Sequence, residues 1–384
     1  MKSGQNKKNK KIVVAMSGGV DSSVAAALLK QAGFDVVGIF MKFWNPSSPA
    51  GSSGQGRENR CCSVESEKLA RQVAKKIGIP FYVLNAEKEF KKRVVNYFLR
   101  EYKKGNTPNP CVVCNKEIKF GLLIEKALKL GADFVATGHY AKIRPVLAMH
   151  CKDGPCNKLL KGKDREKDQS YFLWQLNQKQ LSRILFPAGD YIKTEVRKLA
   201  KKFRLPTAKT PESQEICFVH TTINKFLEKY LKTKPGNIIS SEESAGLRHP
   251  QVYGCRRPAK LLGGHQGLWF YTIGQRKGIE VPQGPYYVIS KNYKNNNLIV
   301  SKNQKDLEGR ELVAGSVNWI SKSKLPLSAE VKIRYKSNFA KAKILKNNKN
   351  KVKIIFEKPQ RAITPGQSAV FYKGEELLGG GVIE

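Results

Sequence analysis

The pattern of apolar and polar positions changes character near residue 268. Before it, short apolar runs alternate with longer stretches of helical period. The runs are Ile12-Val-Val-Ala, Asp35-Val-Val-Gly-Ile-Phe-Met-Lys, Phe81-Tyr-Val-Leu-Asn and Asp133-Phe-Val-Ala. Runs of this kind read as strands covered on both faces. Helices are expected from Val24-Ala-Ala-Ala-Leu-Leu onward, over 63–77 up to the Gly78/Pro80 stop pair, over 87–104, and over 116–130 up to Gly131. Strands separated by helices of this length predict an α/β fold with a doubly wound parallel sheet, whose ligands bind at the carboxyl ends of the strands.

Further on, 144–166 reads as an exposed hairpin or insertion, with helices near 168–178 and 193–203, a short basic helix over 218–235 and an irregular insertion over 236–266. After 268 the segments 268–273, 286–290, 298–300, 330–335, 340–345, 352–356 and 368–372 alternate with glycine and asparagine turns, which predicts a small all-β barrel. The expected domains are a disordered basic tail (1–10), a catalytic α/β domain (11–217), a central domain with a loop-rich insertion (218–297) and a C-terminal β-barrel (298–384).

Between the first strand and its helix lies Ala15-Met-Ser-Gly-Gly-Val-Asp-Ser-Ser. A glycine turn opening a helix aims backbone N–H groups and the positive end of the helix dipole at one point, which suits phosphate. Gly18 and Gly19 let the backbone approach a ligand, and Ser17, Ser22 and Ser23 offer hydroxyls. Asp21 is expected either to cap the helix or to hold a divalent cation, Mg²⁺, against the phosphates. The three spaced glycines of a dinucleotide fold and the Gly-Lys-Ser/Thr ending of a Walker loop are both missing. The strand ends at Met41 and Gly138-His139 are expected to converge on the same nucleotide.

Composition adds a partner. Lys plus Arg number 70 and Asp plus Glu 31, a formal charge of +39. Such an excess points to a polyanion, with nucleic acid first, although a lysine-rich genome would account for part of it. The chain has no apolar run of membrane-spanning length and no secretory pattern in Met1–Lys11, so a soluble, cytoplasmic protein is expected. Eight cysteines then suggest redox, metal or nucleophile chemistry rather than a disulfide scaffold. In Asn106-Thr-Pro-Asn-Pro-Cys-Val-Val-Cys-Asn a rigid loop leads to Cys114 at the expected start of a helix, where the dipole favours thiolate. Read alone, Cys114 and Cys217 could equally be small buried apolar residues.

Ser17-Gly-Gly-Val-Asp-Ser-Ser resembles the PP-loop of ATP pyrophosphatases. It stands in order with the Thr-Pro-Asn-Pro loop, Ala136-Thr-Gly-His-Tyr, Lys167-Asp-Gln-Ser-Tyr-Phe-Leu, Ser213-Gln-Glu-Ile-Cys-Phe, Tyr271-Thr-Ile-Gly-Gln-Arg-Lys-Gly and Arg361-Ala-Ile-Thr-Pro-Gly-Gln. The ordered set resembles the tRNA-specific 2-thiouridylases, the MnmA/TrmU family, from about residue 11 to the end. The resemblance implies ATP-dependent 2-thiolation of the wobble uridine (position 34) of glutamate, glutamine and lysine tRNAs, with a cysteine desulfurase or sulfur relay as donor. It implies Cys217 as the persulfide cysteine and Cys114 as the nucleophile, the two forming a transient disulfide. It implies ATP contacts from Ala15, Met16, Ser17, Gly18, Gly19, Val20, Asp21, Ser22, Met41 and Gly138. Asn109, Pro110 and Cys111 would face the target base, which must leave its stack. Contacts to tRNA would come from His139, Lys167, Asp168, Gln169, Arg334, Tyr335 and Gln367. If Arg334 and Tyr335 are neighbours on a strand, only one of them can meet a given base.

Cys111 departs from the commoner family pattern, where Asp stands. Three cysteines at 111, 114 and 217 also resemble the ligand set of iron–sulfur tRNA thiolases, a [4Fe–4S] alternative with the same product. Another PP-loop synthetase, of the GMP synthetase kind, and a non-catalytic RNA-binding protein remain the more distant readings.

Overall fold

The computed structural model describes residues 10–46, 63–146, 156–211, 216–241, 260–348 and 350–384. The N-terminal tail up to residue 9, Cys61, Cys62, Cys151 and Cys255, most of the 45–60 loop and Ser213–Glu215 lie outside them.

The β-branched run Lys11–Ala15 forms β1 and leads through the glycine turn into helix α1, Val20–Gln31. Strand β2 is Asp35–Lys42, and helix α2 is Val64–Ile77. Ser63 caps α2, its Oγ accepting from the Ser66 N–H at 3.1 Å, and Gly78 ends it in the left-handed conformation with φ +67°. Strands β3, Phe81–Asn85, and β4, Phe134–Ala136, complete the set with Ile184–Leu185. The order is β3-β2-β1-β4 and then Ile184–Leu185, all parallel. The chain leaves β1 in one direction to β2 and returns on its other side to β4. That is the topological switch point of a doubly wound sheet, where a ligand crevice opens beyond the strand ends. Helix α1 is buried on nearly every side: Val24, Ala25 and Ala26 are fully covered, which only small and aliphatic side chains permit this close to a sheet.

Residues 110–129 form one helix whose middle, Asn115–Leu122, is wound as a π-helix. The 87–103 helix has a π segment of its own at Lys91–Val95. The cysteine helix therefore starts at Pro110, six residues earlier than the hydrophobic period suggests. Pro at the first helical position is itself a start signal. Near 168–178 there are only a 3₁₀ turn, Ser170–Leu173, and a short helix, Gln178–Leu181. The expected basic helix over 218–235 shrinks to Ile223–Glu228.

Strands Gly236–Ser240, Leu261–His265, Tyr287–Asn292 and Asn297–Ser301 make a four-stranded central sheet around Ile238, Leu268, Val288, Leu298 and Val300. Asn297–Ser301, expected in the barrel, belongs here and pairs with both Gly236–Ser240 and Tyr287–Asn292. Leu268–Phe270 is a 3₁₀ turn rather than a strand. The barrel proper closes through Glu308–Trp319, Val352–Arg361, Ala340–Lys346, Leu327–Lys332, Ser368–Lys373 and Glu376–Ile383, the last pairing back to the first.

The insertion at 144–166 is not an exposed appendage. Ala141–Val146 and Cys156–Lys161 form a hairpin whose second strand pairs with Glu376–Ile383, extending the barrel sheet into the first domain. Leu159 is fully buried there, and Cys156 is disulfide-bonded. No helix among the described residues is long and apolar enough to cross a membrane.

Candidate active site

The turn between β1 and α1 depends on a glycine. Gly18 sits at φ +76°, and a Cβ there would overlap the Ser66 carbonyl of α2. Only glycine lets the two helices approach so closely. Gly19 is the N-cap of α1 in extended conformation, with no side-chain cap. Ser22 Oγ accepts from the Ser17 N–H at 3.2 Å and donates to the Gly19 carbonyl at 3.1 Å, while Ser23 Oγ donates to the same carbonyl at 2.8 Å. The hydroxyls of Ser22 and Ser23 thus brace the turn instead of pointing outward. Ser17 is the exposed hydroxyl of the three. The first-turn N–H groups of α1 have no partners within the helix, so the turn presents them toward the crevice.

Gly138 lies against this turn. A Cβ on it would sit 2.6 Å from both the Asp21 carbonyl carbon and the Ser22 nitrogen. Met16 is buried, its N–H bonded to the Ile39 carbonyl at 2.8 Å, and Met41 follows two residues later on β2, also buried. The residues expected around ATP, from Ala15 to Ser22 with Met41 and Gly138, are therefore brought together at one end of the sheet.

Asp21 does not cap the helix; its carboxylate is turned toward two distant side chains. Lys193 Nζ donates to both of its carboxylate oxygens at 2.8 Å, and the Tyr140 hydroxyl donates to one of them at 2.6 Å. Lys193 is mostly covered, and its own N–H is held by Asp164 Oδ2 at 2.8 Å. Sequence reasoning missed Lys193 and Tyr140 as partners of Asp21, since nothing local marks a pair 172 positions apart.

Cys114 is fifth in its helix and Cys111 second, so the first-turn position belongs to Cys111. The dipole's influence fades after the first turn, and the expectation that placed Cys114 at the helix start is corrected. Cys111 is exposed, Cys114 buried and Cys217 half-buried. Cys217 packs against the same apolar cluster that contains Cys114, Ile118 and Phe218. Among the described residues no group of three His, Cys, Asp or Glu side chains is placed to hold a metal. In this arrangement Cys111, Cys114 and Cys217 do not assemble a cluster site.

Asn109 precedes the helix without capping it, and its side chain bonds the buried Tyr171 hydroxyl. That hydroxyl in turn donates to the Ser368 carbonyl at 3.0 Å. Pro110 is buried.

The residues expected on tRNA are mostly engaged inside the protein. His139 is buried between Phe120 and Phe186 and bonds Thr137 Oγ1 at 2.7 Å; burial holds its imidazole well below its ordinary pKa, hence neutral. Asp168 accepts from the Gly162 and Ser170 N–H groups at 2.9 and 3.2 Å and from Ser170 Oγ at 2.8 Å, so it shapes the loop rather than lining a surface. Gln169 Oε1 accepts from the Tyr140 N–H at 3.0 Å. Lys167 is partly exposed.

Arg334 and Tyr335 lie in the turn after Leu327–Lys332, not on a strand, so the opposite-face argument does not apply. The Arg334 guanidinium donates to the Ile273 and Ala362 carbonyls at 3.1 and 2.9 Å and to Thr364 Oγ1. Tyr335 packs on Phe172 at 4.5 Å between ring centroids. Gln367 Nε2 donates to the Thr107 carbonyl at 2.7 Å.

Comparison with known proteins agrees with this architecture. Residues 10–221 match the family model described as tRNA methyl transferase HUP domain, 224–302 the tRNA methyl transferase PRC-barrel domain, and 309–383 the aminomethyltransferase beta-barrel domain. The chain is 44% identical over 382 residues to the tRNA-specific 2-thiouridylase MnmA of Carboxydothermus hydrogenoformans, covering 98% of each. It is equally similar to that of Clostridioides difficile, at 44% over 98% of each. The Halothermothrix orenii protein of the same name is 44% identical over 97% of this chain and 99% of its own. The chain belongs to the family of tRNA-specific 2-thiouridylases.

Proposed function

We propose that this protein is an enzyme that converts a uridine of tRNA to 2-thiouridine at the expense of ATP. The observation that carries the reading is the 44% identity over 98% of the chain to MnmA 2-thiouridylases. The turn at 17–23, at the switch point of a parallel sheet, fits it as an ATP site.

The uracil 2-oxygen attacks the α-phosphorus of ATP, and pyrophosphate leaves. The first-turn N–H groups of α1 and the Ser17 hydroxyl hold the phosphates. Lys193, fixed by Asp21 at 2.8 Å, sets a cation at the same helix end and offsets charge on the departing pyrophosphate. The oxygen at carbon 2, a poor leaving group as oxide, now leaves as AMP. The terminal sulfur of a Cys217 persulfide attacks carbon 2 and expels AMP. Cys114 thiolate then attacks the inner sulfur of that adduct. A Cys114–Cys217 disulfide forms, 2-thiouridine is released, and an external thiol must reduce the disulfide before the next cycle.

The finer expectations complete the reading: the wobble uridine of glutamate, glutamine and lysine tRNAs as target, a cysteine desulfurase or relay as sulfur source, and a cytoplasmic setting. Incubation of the protein with unmodified tRNA transcripts, ATP, Mg²⁺, cysteine and a desulfurase, followed by nucleoside mass spectrometry, tests it. 2-Thiouridine dependent on both ATP and the protein is expected. Pyrophosphate release stimulated by xanthosine monophosphate but not by tRNA would refute it.

A further inference from the structure

The loop that carries the chain into the cysteine helix, residues 105–109, is gripped from two sides by the domains that follow it in sequence. From the central sheet, Lys291 Nζ donates to the Gly105 carbonyl at 3.0 Å, and Tyr293 packs so tightly that a Cβ on Gly105 would overlap its hydroxyl. Thr272 Oγ1 meets Thr107 Oγ1 at 3.4 Å. From the barrel, the Pro365 carbonyl accepts the Thr107 N–H at 2.8 Å, and Gln367 Nε2 donates to the Thr107 and Pro108 carbonyls at 2.7 and 3.5 Å. Gly366, at φ +90°, lies flat on the loop: a Cβ there would come within 2.8 Å of Asn106 Cβ and 2.9 Å of the Thr107 nitrogen. Arg334 joins the two grips, bonding Ile273 on the central side and Ala362 and Thr364 on the barrel side.

The backbone groups involved carry the geometry of the loop. A free loop would satisfy its carbonyls with water, whereas here Lys291 of the central domain takes the Gly105 carbonyl and Gln367 of the barrel takes those of Thr107 and Pro108. Three residues past Pro108 the helix presents Cys111, and three further on Cys114. A shift of the loop by a fraction of an ångström is passed along the helix to both sulfurs, because helices move as rigid bodies.

We propose that Gln367 and Lys291 are positioning residues for the thiols, clamping loop 105–109 so that the reactive helix is set by the two C-terminal domains. Gln367 acts on the thiols through the loop. The part of this inference that concerns turnover rests on the 2-thiolation reading above.

The test compares wild-type protein with Gln367→Ala, with the isosteric Gln367→Glu, which lacks the donor, and with Lys291→Met. Each variant is first checked for an unchanged circular dichroism spectrum. Cys114 alkylation by iodoacetamide, followed by peptide mapping, is expected to change about tenfold in all three, and hydrogen exchange at 110–118 to quicken. In single-turnover thiolation at saturating tRNA the variants are expected to lose about 10- to 100-fold in the sulfur-transfer rate, the scale on which a misplacement near 1 Å acts, with the tRNA Kd of Lys291→Met within about twofold of wild type. Unchanged alkylation and exchange in the Gln367 variants would overturn the clamp. So would a tRNA Kd weakened about tenfold at an unchanged rate, the mark of a direct contact. Alkylation and exchange need no turnover. If wild-type protein makes no 2-thiouridine, the functional reading fails while the clamp is still decided.

Discussion

Asp21 looks from sequence like a cap or a cation ligand; it does not cap α1, and its surroundings give it two side-chain partners. Its carboxylate faces Lys193 and Tyr140 at 2.6 to 2.8 Å, so it holds an ammonium beside the first turn of α1, the proposed phosphate site. Asp21→Ala is expected to cut tRNA-dependent pyrophosphate release by about 10²- to 10³-fold, the usual loss of a preorganised charge, while tRNA Kd in a filter-binding assay stays within about twofold. Equal loss of both would contradict the assignment. Lys291 supplies a pH test. Burial lowers its ammonium to about 8, below the ordinary value of 10.5. Between those two values the unfolded chain holds a proton that the folded one has released, so this group's contribution to stability rises with pH across that window. The urea midpoint of wild-type protein should therefore rise relative to that of Lys291→Met from pH 8 to pH 10. A constant difference would count against the buried environment. The glycines and serines of the turn were readable in sequence because their constraints are local. The Lys193 partnership was not, because it is made only by the tertiary fold.

At the level of elements, the site depends on two helix ends meeting across Gly18. A methyl group at that position faces both a positive φ of +76° and the Ser66 carbonyl. Gly18→Ala is expected to lower stability by about 1–3 kcal/mol and to raise the KM for ATP, measured by denaturation and by pyrophosphate release. An unaltered KM would show that the turn does not hold the nucleotide. The strands of the first sheet were legible because doubly covered strands carry unbroken apolar runs. The start of the cysteine helix was misplaced because the hydrophobic period begins only after Cys114, whereas Pro110 marks the true first turn. The π-wound stretch Asn115–Leu122 has no sequence signature, although such segments recur at functional sites.

At the level of the whole molecule, the paired strands Ala141–Val146 and Cys156–Lys161 and the 105–109 loop join the α/β domain to the barrel. The hairpin looked like an exposed insertion because its partner strand, Glu376–Ile383, lies at the far end of the chain. Leu159→Ala, at a fully buried site in the shared core, is expected to cost about 2–5 kcal/mol in denaturant unfolding. A loss under about 0.5 kcal/mol would mean the hairpin is not part of that core. The charge of +39 acts at long range. If some six phosphates are neutralised, tRNA affinity should fall about 10³-fold between 50 and 200 mM salt. A flat salt response would remove polyanion binding as the reason for the lysines.

The central proposal is that sulfur passes between Cys217, Cys114 and a uridine activated at the 17–23 turn. Its most direct test is a single turnover of protein loaded with ³⁵S persulfide, mixed with tRNA and ATP. The label should appear in tRNA as 2-thiouridine, in step with pyrophosphate, leaving a Cys114–Cys217 disulfide in the peptide map; Cys217→Ser should release pyrophosphate and transfer no sulfur. Label entering tRNA without ATP, or thiouridine formed at full yield by Cys217→Ser, would contradict the account.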